Sequence, residues 1–339
     1  MKTQEKIWAL LVNLGIWQGG EDESSGTFKF DQSAWEKLID IAADAGINTF
    51  FLDCGGAIEF ASHPEIKTEG AWTRKKLREE IEKCRAKNIR ILPKLNFSTI
   101  HDRWLGKYHL MISTPEYYKV CNDLIKEAYE LFQHPQYFHL GMDEEDEKHA
   151  RVTPYDSLAV YRKDDLYFHD LRFLIDCVAD TGAKPVMWGS ALHSRDTEVF
   201  LKHINPDEVI FLPGSYSAIY EEHWTPISTR QVFLDYYNQP DYKGLGIEYV
   251  EQDPWLVNFR EKALPLANTY GFNYIPDVSN ANKCDISFDD SFRYFKEGMP
   301  DEQIFGFCVS PWKFITEENL PTHEHALKLF KAAKEKYYG

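Results

Sequence analysis

The sequence contains no C-x-x-C pair, no basic run longer than Arg74-Lys75-Lys76, no G-x-G-x-x-G turn after its first apolar stretch, and no apolar stretch long enough to cross a bilayer. Each absence removes a class of function. The cysteines Cys54, Cys84, Cys121, Cys177, Cys284 and Cys308 lie far apart without metal-ligand spacing, so they read as free, mostly buried thiols. With Lys+Arg 38 against Asp+Glu 54, the formal net charge is -16, and no local basic cluster offsets it. Nucleic acid and anionic membrane surfaces attract basic patches and are therefore excluded as partners, whereas an uncharged or cationic ligand suits this charge. The missing Gly-rich turn counts against a dinucleotide cofactor, and no pattern points to a metal.

The apolar segment Ile7 to Trp17 follows Lys2 and Lys6 but lacks a small-residue cleavage site, and Gln4 and Glu5 interrupt the charged start. It reads as a first strand rather than a signal peptide. The expected location is the cytoplasm for the chain as it stands, or the exterior if an export leader has been trimmed.

What is present is alternation. Short apolar runs alternate with helical patterns throughout the 339 residues, the signature of repeated βα units around a parallel sheet. Eight strands are expected: Ile7 to Leu14, Asn48 to Asp53, Ile89 to Leu95, Tyr137 to Met142, Lys184 to Trp188, Val209 to Leu212, Asn273 to Val278, and Ile304 to Val309. Asp31 is placed to cap a helix ending near Gly46, Thr73 a second, and Thr114-Pro115 a third; Asp164 to Thr181 and His323 to Tyr337 give two more. Eight strands with intervening helices favour a (β/α)8 TIM barrel, an α/β fold, over a doubly wound sheet. No linker or repeat marks a boundary, so a single domain is expected over residues 1–339. The long connection Pro213 to Gly271, with Tyr216, Tyr220, Trp224, Tyr236, Tyr237 and Trp255, is expected to form a lid or pocket wall.

Catalytic groups of such barrels sit at the C-terminal strand ends. Here those ends carry Asp53, Lys94 and Asn96, Asp143-Glu144, Trp188, Asp277 and Trp312. Asp and Glu are disfavoured in strands, so two adjacent acids closing the run Tyr137-Phe138-His139-Leu140-Gly141-Met142 point to chemistry in which one acid protonates and its neighbour stays charged. The simpler reading is an acidic helix start, favoured by the helix dipole. Glu145, Asp146 and Glu147 read as a solvated or capping run. His139 reads as a supporting core histidine, and His101 lies in a loop beyond the third strand. Aromatic residues make up 15% of the chain, with 9 Trp and 19 Tyr, which fits either a sugar-stacking pocket or a large core.

His139-x-Gly141-x-Asp143-Glu144 resembles the H-x-G-G-D-E motif that ends the fourth strand in glycoside hydrolase family 20, the β-N-acetylhexosaminidases, with Met142 in place of the second Gly. Ile89-Arg90-Ile91-Leu92-Pro93, Val186-Met187-Trp188 and Trp312 are similar to the family's third, fifth and eighth strand regions. The resemblance implies substrate-assisted hydrolysis of an N-acetylhexosamine-containing glycan. Glu144 would be the general acid/base, while Asp143 orients the 2-acetamido group whose carbonyl oxygen attacks the anomeric carbon. Adjacent carboxylates raising each other's proton affinity would help keep Glu144 protonated. It further implies that Trp188, Trp312 and Trp255 wall the acetamido pocket and that Tyr216 hydrogen-bonds its oxygen; His101, Asp53 and Asp277 join the substrate-binding set, with His139 and Asn96 in support. The chain departs from the family elsewhere. Leu14-Gly15-Ile16-Trp17 offers no Arg for sugar hydroxyls, Pro93-Lys94-Leu95-Asn96-Phe97-Ser98-Thr99-Ile100-His101 loses both acids of the family's third-strand motif, and Lys313-Phe314 replaces its last Glu. Two alternatives stay open: a retaining glycosidase with a separate nucleophile such as Asp277, and a non-catalytic carbohydrate-binding barrel.

Overall fold

The computed structural model describes residues 5–14, 28–145, 161–214, 216, 254–281 and 284–339, with the side chains of 193 and 254–260 left aside. Its strands are β1 Ile7–Asn13, β2 Thr49–Asp53, β3 Arg90–Lys94, β4 Tyr137–His139, β5 Lys184–Trp188, β6 Ile210–Leu212, β7 Asn273–Tyr274, β8 Asp277–Val278 and β9 Gly306–Val309. The helices between them are α1 Gln32–Asp44, α2 Arg74–Ala86, α3 Pro115–Leu131, α4 Asp164–Ala179, α5 Ser190–Ser194, α6 Thr197–His203, α7 Pro254–Tyr270, α8 Ile286–Gly298 and α9 Leu320–Tyr338. Lys184–Trp188 is recovered with the expected bounds, the strand expected over Asn273 to Val278 is split in two, and the other expected strands are recovered with one or both ends trimmed.

All strand pairs are parallel, in the order β7-β6-β5-β4-β3-β2-β1-β9-β8. The two edges of this sheet belong to one stretch of chain. Pro276 carries no backbone N–H, and the expected seventh strand breaks there into β7, which pairs with β6, and β8, which pairs with β9. Isolated bridges from Gly214 to Asp277 and from Tyr274 to Ile304 link the broken halves to the opposite neighbours. The sheet therefore curls into an α/β barrel.

Side chains alternate across it. Ala9 and Leu11 of β1, Phe51, Leu92, Tyr137, Val186, Ile210, Leu212 and Cys308 form one buried cluster inside the curl. The intervening Leu10, Val12, Phe50, Leu52, Ile91, Phe138, Phe211 and Phe307 join a larger cluster under the helices. Burying each such large side chain stabilises by about 1.5–3 kcal/mol. One register higher the inward positions turn polar: Asn13 pairs with Asp53, Asp53 with Lys94, and Lys94 with His139. A barrel that needed only packing would place branched apolar residues there.

Helix ends follow side-chain chemistry. Thr73 accepts from the Lys76 N–H at 3.1 Å and Thr114 from the Tyr117 N–H at 3.2 Å, as expected of caps. Asp31 precedes α1 but does not cap it; its carboxylate accepts from the Glu317 N–H at 2.9 Å instead. Glu80 of α2 is fully buried and accepts from the Trp35 indole N–H at 2.7 Å, locking α2 to α1. All six cysteines are buried, and none is in a disulfide. Most of the connection Pro213 to Gly271, including Tyr220, Trp224, Tyr236 and Tyr237, lies outside the described residues, and so does the Trp255 side chain, although Trp255 belongs to α7.

Candidate active site

Beyond β4 the ladder continues for two residues, with the Leu140 N–H donating to Val186 O at 2.8 Å and the Trp188 N–H to Gly141 O at 3.0 Å. The backbone then enters left-handed conformations, φ 72° at Gly141, 61° at Met142 and 50° at Glu144. Such angles cost a non-glycine residue on the order of 1–2 kcal/mol, and they concentrate where surroundings over-determine the chain. Gly141 has no substitute, because a Cβ there would lie 2.0 Å from Asn96 Oδ1. Met142, standing where the motif has glycine, holds the same turn under strain; its side chain is buried, and that burial offsets the cost.

Asn96 organises the turn. Its Oδ1 accepts from the N–H groups of Ser98 at 3.1 Å and Met142 at 3.2 Å, which leaves Nδ2 to donate to Asp143 Oδ1 at 2.9 Å. Ser98 Oγ donates to the Asp143 carbonyl at 2.5 Å. The two acids consequently differ in access: the Asp143 side chain is 16% exposed and that of Glu144 is 44% exposed. One is held, and the other is reachable.

His101 joins them, its Nε2 standing 3.1 Å from Glu144 Oε2 and 3.4 Å from Asp143 Oδ2. Burial alone would lower its proton affinity, but the Asp143 and Glu144 carboxylates push it up to about 9, so the ring is an imidazolium at neutral pH. The expectation that the adjacent carboxylates help keep Glu144 protonated by raising each other's proton affinity is opposed by this cation, which stands within reach of both. The same three residues bring ligand atoms within 4.8 Å of one another, a set able to hold a cation, yet the imidazolium already supplies that positive charge.

Glu145 is not part of a solvated run, as the sequence suggested. It is buried and accepts from Arg162 Nη1 at 2.9 Å on both of its oxygens. Arg162, fully buried, also donates from Nε to Asp170 at 2.6 Å, from Nη2 to the Tyr117 hydroxyl at 2.7 Å and from Nη1 to Phe97 O at 3.1 Å. One guanidinium thus holds the residue after Glu144 and the peptide between Asn96 and Ser98. Sequence reading missed Arg162, because nothing local distinguishes it from a surface arginine. Asp146 and Glu147 lie outside the described residues.

Beside this group lies the polar layer of the barrel. Lys94, 1% exposed, pairs with Asp53 and lies 5.9 Å from the Trp188 ring. His139 accepts the Gly141 N–H at Nδ1, 3.0 Å away, and burial and Lys94 hold it neutral, so Nε2 carries the ring proton. That N–H and those of Asn13 Nδ2 and Trp188 Nε1 are buried without a hydrogen-bond partner among the described residues. The aromatic rings form a chain: His139 to Trp188 at 4.9 Å, Trp188 to Trp312 at 5.5 Å and Trp312 to Tyr216 at 6.2 Å. Asp277 stands behind Tyr216, whose hydroxyl donates to Oδ2 at 3.0 Å, while Ser310 Oγ donates to Oδ1 at 2.6 Å. Asp277 has no exposed surface and both oxygens engaged, a poor position for a nucleophile that must reach a sugar carbon. Of the residues singled out by sequence, His101, Asp143, Glu144 and Asn96 meet in one hydrogen-bonded group. Asp53, Lys94, His139, Trp188, Trp312, Tyr216 and Asp277 line up beside them.

No protein-family model matches the chain, and no curated protein sequence is detectably similar. Solved structures do match. The β-N-acetylhexosaminidase from Bacteroides fragilis NCTC 9343 superposes with a TM-score of 0.62 at 14% identity, covering 96% of this chain and 66% of that one. Dispersin B gives 0.60 at 14%, covering 99% and 100%. The GH20 exo β-N-acetylglucosaminidase from Vibrio harveyi in complex with N-acetylglucosamine gives 0.57 at 13%, covering 98% and 57%. The chain thus spans about two thirds or less of the first and third of these proteins. At such identities the likeness is one of fold.

Proposed function

We propose that this chain is a divergent glycoside hydrolase of family 20 that cleaves a β-linked N-acetylhexosamine with help from the substrate's own acetamido group. The observation that carries the reading is the unequal pair just past β4: Asp143 fixed by Asn96, and Glu144 more exposed beside His101. The barrel likeness to the Bacteroides fragilis and Vibrio harveyi enzymes supports it.

In this reading Asp143 orients the acetamido N–H and stabilises its growing positive charge while the carbonyl oxygen bonds to the anomeric carbon. The bond to the leaving oxygen breaks as Glu144 delivers a proton to it. Water then attacks the same carbon, Glu144 takes a proton from that water, and the acetamido group is released intact. The imidazolium of His101 stands within hydrogen-bond reach of Glu144 and can orient its carboxyl group, and the proton taken from water restores Glu144 for the next turnover. Trp188, Trp312 and Tyr216 supply the aromatic wall and a hydroxyl for the acetamido group, and the unpaired Trp188 and His139 N–H groups suit a pocket that receives an acceptor oxygen. Asp53, paired with the buried Lys94 but itself 23% exposed, would meet a sugar hydroxyl in place of the missing arginine.

A panel of nitrophenyl glycosides tests the reading. Hydrolysis is expected of the N-acetyl-β-hexosaminides and not of glucosides lacking the acetamido group, with Glu144→Gln slower by about 10²–10⁴-fold. Equal cleavage of the glucosides, or a covalent sugar trapped by a fluorosugar, would remove the substrate-assisted step. Saccharide binding without any turnover would leave a binding barrel.

A further inference from the structure

Tyr216 has one hydroxyl proton, and an ionised Asp277, 3.0 Å away, claims it. If the proton stays there, Tyr216 cannot donate to a substrate. The contact is built in by backbone. The Asp277 N–H donates to Pro213 O at 2.8 Å, and a Cβ on Gly214 would lie 2.7 Å from Asp277 O, so only glycine lets this segment press against β8 and bring Tyr216 over the carboxyl group. The groups facing Asp277 are Tyr216 beyond β6, Cys308 of β9 and Ser310 after it, with Asp143 beyond β4 acting on Tyr216 from further off. None of these brings a positive charge.

A fully buried carboxylate with two hydroxyl donors and no cation among these neighbours favours its neutral form. The neutral acid has an O–H to place. Directing it to Ser310 Oγ would break the 2.6 Å bond by which Ser310 donates to Oδ1, with only the weak acceptor Cys308 Sγ at 3.9 Å to take the serine proton. Directing it from Oδ2 to the Tyr216 oxygen keeps the serine bond and releases the Tyr216 proton.

We propose that Asp277 is a positioning residue that sets the direction of the Tyr216 hydroxyl: protonated, it donates to the Tyr216 oxygen and frees that hydroxyl for the carbonyl oxygen of a bound acetamido sugar; ionised, it draws the hydroxyl back. One proton is exchanged with solvent and no other bond changes. The inference rests on the hydrolase reading only for the identity of the ligand. Burial first, against the lowering effect of Ser310 and Tyr216, pushes Asp277 up to about 7, which sets this change in the neutral range. His101 is held higher, at about 9, partly by Glu144; because Glu144→Gln removes that part of the push, only the pH dependence that Asp277→Asn abolishes is assigned to Asp277.

Calorimetric titration of the full chain carrying Glu144→Gln with 4-nitrophenyl N-acetyl-β-glucosaminide reads the switch without turnover. Affinity is expected to fall about tenfold as pH rises through neutrality, the worth of one hydrogen bond. Adding Asp277→Asn, whose amide donates to Tyr216 at every pH, is expected to hold affinity at its low-pH level. Ser310→Ala, which removes a bond to the ionised form, moves the midpoint to higher pH. Tyr216→Phe gives weak binding without pH dependence. An Asn variant that keeps the parent's pH dependence, or a Phe variant as tight as its parent at low pH, overturns the proposal. Infrared spectra of aspartate-labelled protein supply an arm independent of sugar. A protonated-acid carbonyl band lost through neutrality and missing from Asp277→Asn supports the proposal, and absence of that band at low pH sinks it. If no sugar binds while the band titrates, the hydrolase reading falls and the proton arrangement stands.

Discussion

His101 shows how far a single side chain can alter the meaning of a motif. Alone, the pair Asp143-Glu144 is two like charges; with an imidazolium 3.1 Å from one and 3.4 Å from the other, it becomes a three-membered charge group. The pH consequence follows from the sign of the shift. A group whose proton affinity is raised by folding stabilises the native state fully below its unfolded value, 6.5 here, and loses that contribution as pH climbs through about 9. Thermal melts are therefore expected to show the wild-type Tm falling across this window while His101→Gln stays nearly flat. Parallel curves for the two proteins would mean that the ring is not charged in the native state.

Between elements, the link that matters most runs through Arg162. It joins the segment after β4 through Glu145, the segment after β3 through Phe97 O, α3 through Tyr117 and α4 through Asp170, all in the interior. Taking charges out of water is expensive, so such a group holds only because each guanidinium nitrogen finds an acceptor. Arg162→Met would leave Glu145 and Asp170 buried without their partner, a cost of about 3–5 kcal/mol. A lowered denaturation midpoint, together with a fall in activity, is expected, because the same guanidinium braces both segments that present Asp143 and Glu144. A variant as stable as the parent would show that these carboxylates pick up protons or water at little cost. The strained turn at Gly141 and Met142 depends on the same bracing.

For the molecule as a whole, charge acts over distances that no hydrogen bond reaches. With a formal net charge of -16, the surface attracts cationic glycans, and salt screens the attraction with a Debye length of roughly 10 Å at 0.1 M. Raising ionic strength is expected to increase the KM for partly deacetylated, positively charged glucosamine oligomers while leaving that for neutral N-acetylated ones unchanged. Equal salt response for both would confine recognition to the pocket.

Much of this molecule is written in short-range pattern. Strand positions, the parallel alternation, the Thr73 and Thr114 caps and the grouping of polar residues at strand ends are all readable from spacing, because period-two burial and cap chemistry are local properties. The Asp143-Glu144 pair and its supporting Asn96 are legible for the same reason: the chain places them directly at strand ends. Tertiary structure decided what local pattern cannot carry. Pro276 divides a strand so that one stretch of chain supplies both edges of the sheet. Glu145, one residue past the pair, turns inward to an arginine 17 positions further along the chain, while Asp31 leaves its own helix for Glu317. Whether an acid is solvated, paired with a cation or buried against hydroxyls depends on which distant elements cover it. Composition tells only that acids are present; the fold distributes Asp143, Glu144, Glu145 and Asp277 among four different environments, and the environment sets the chemistry of each.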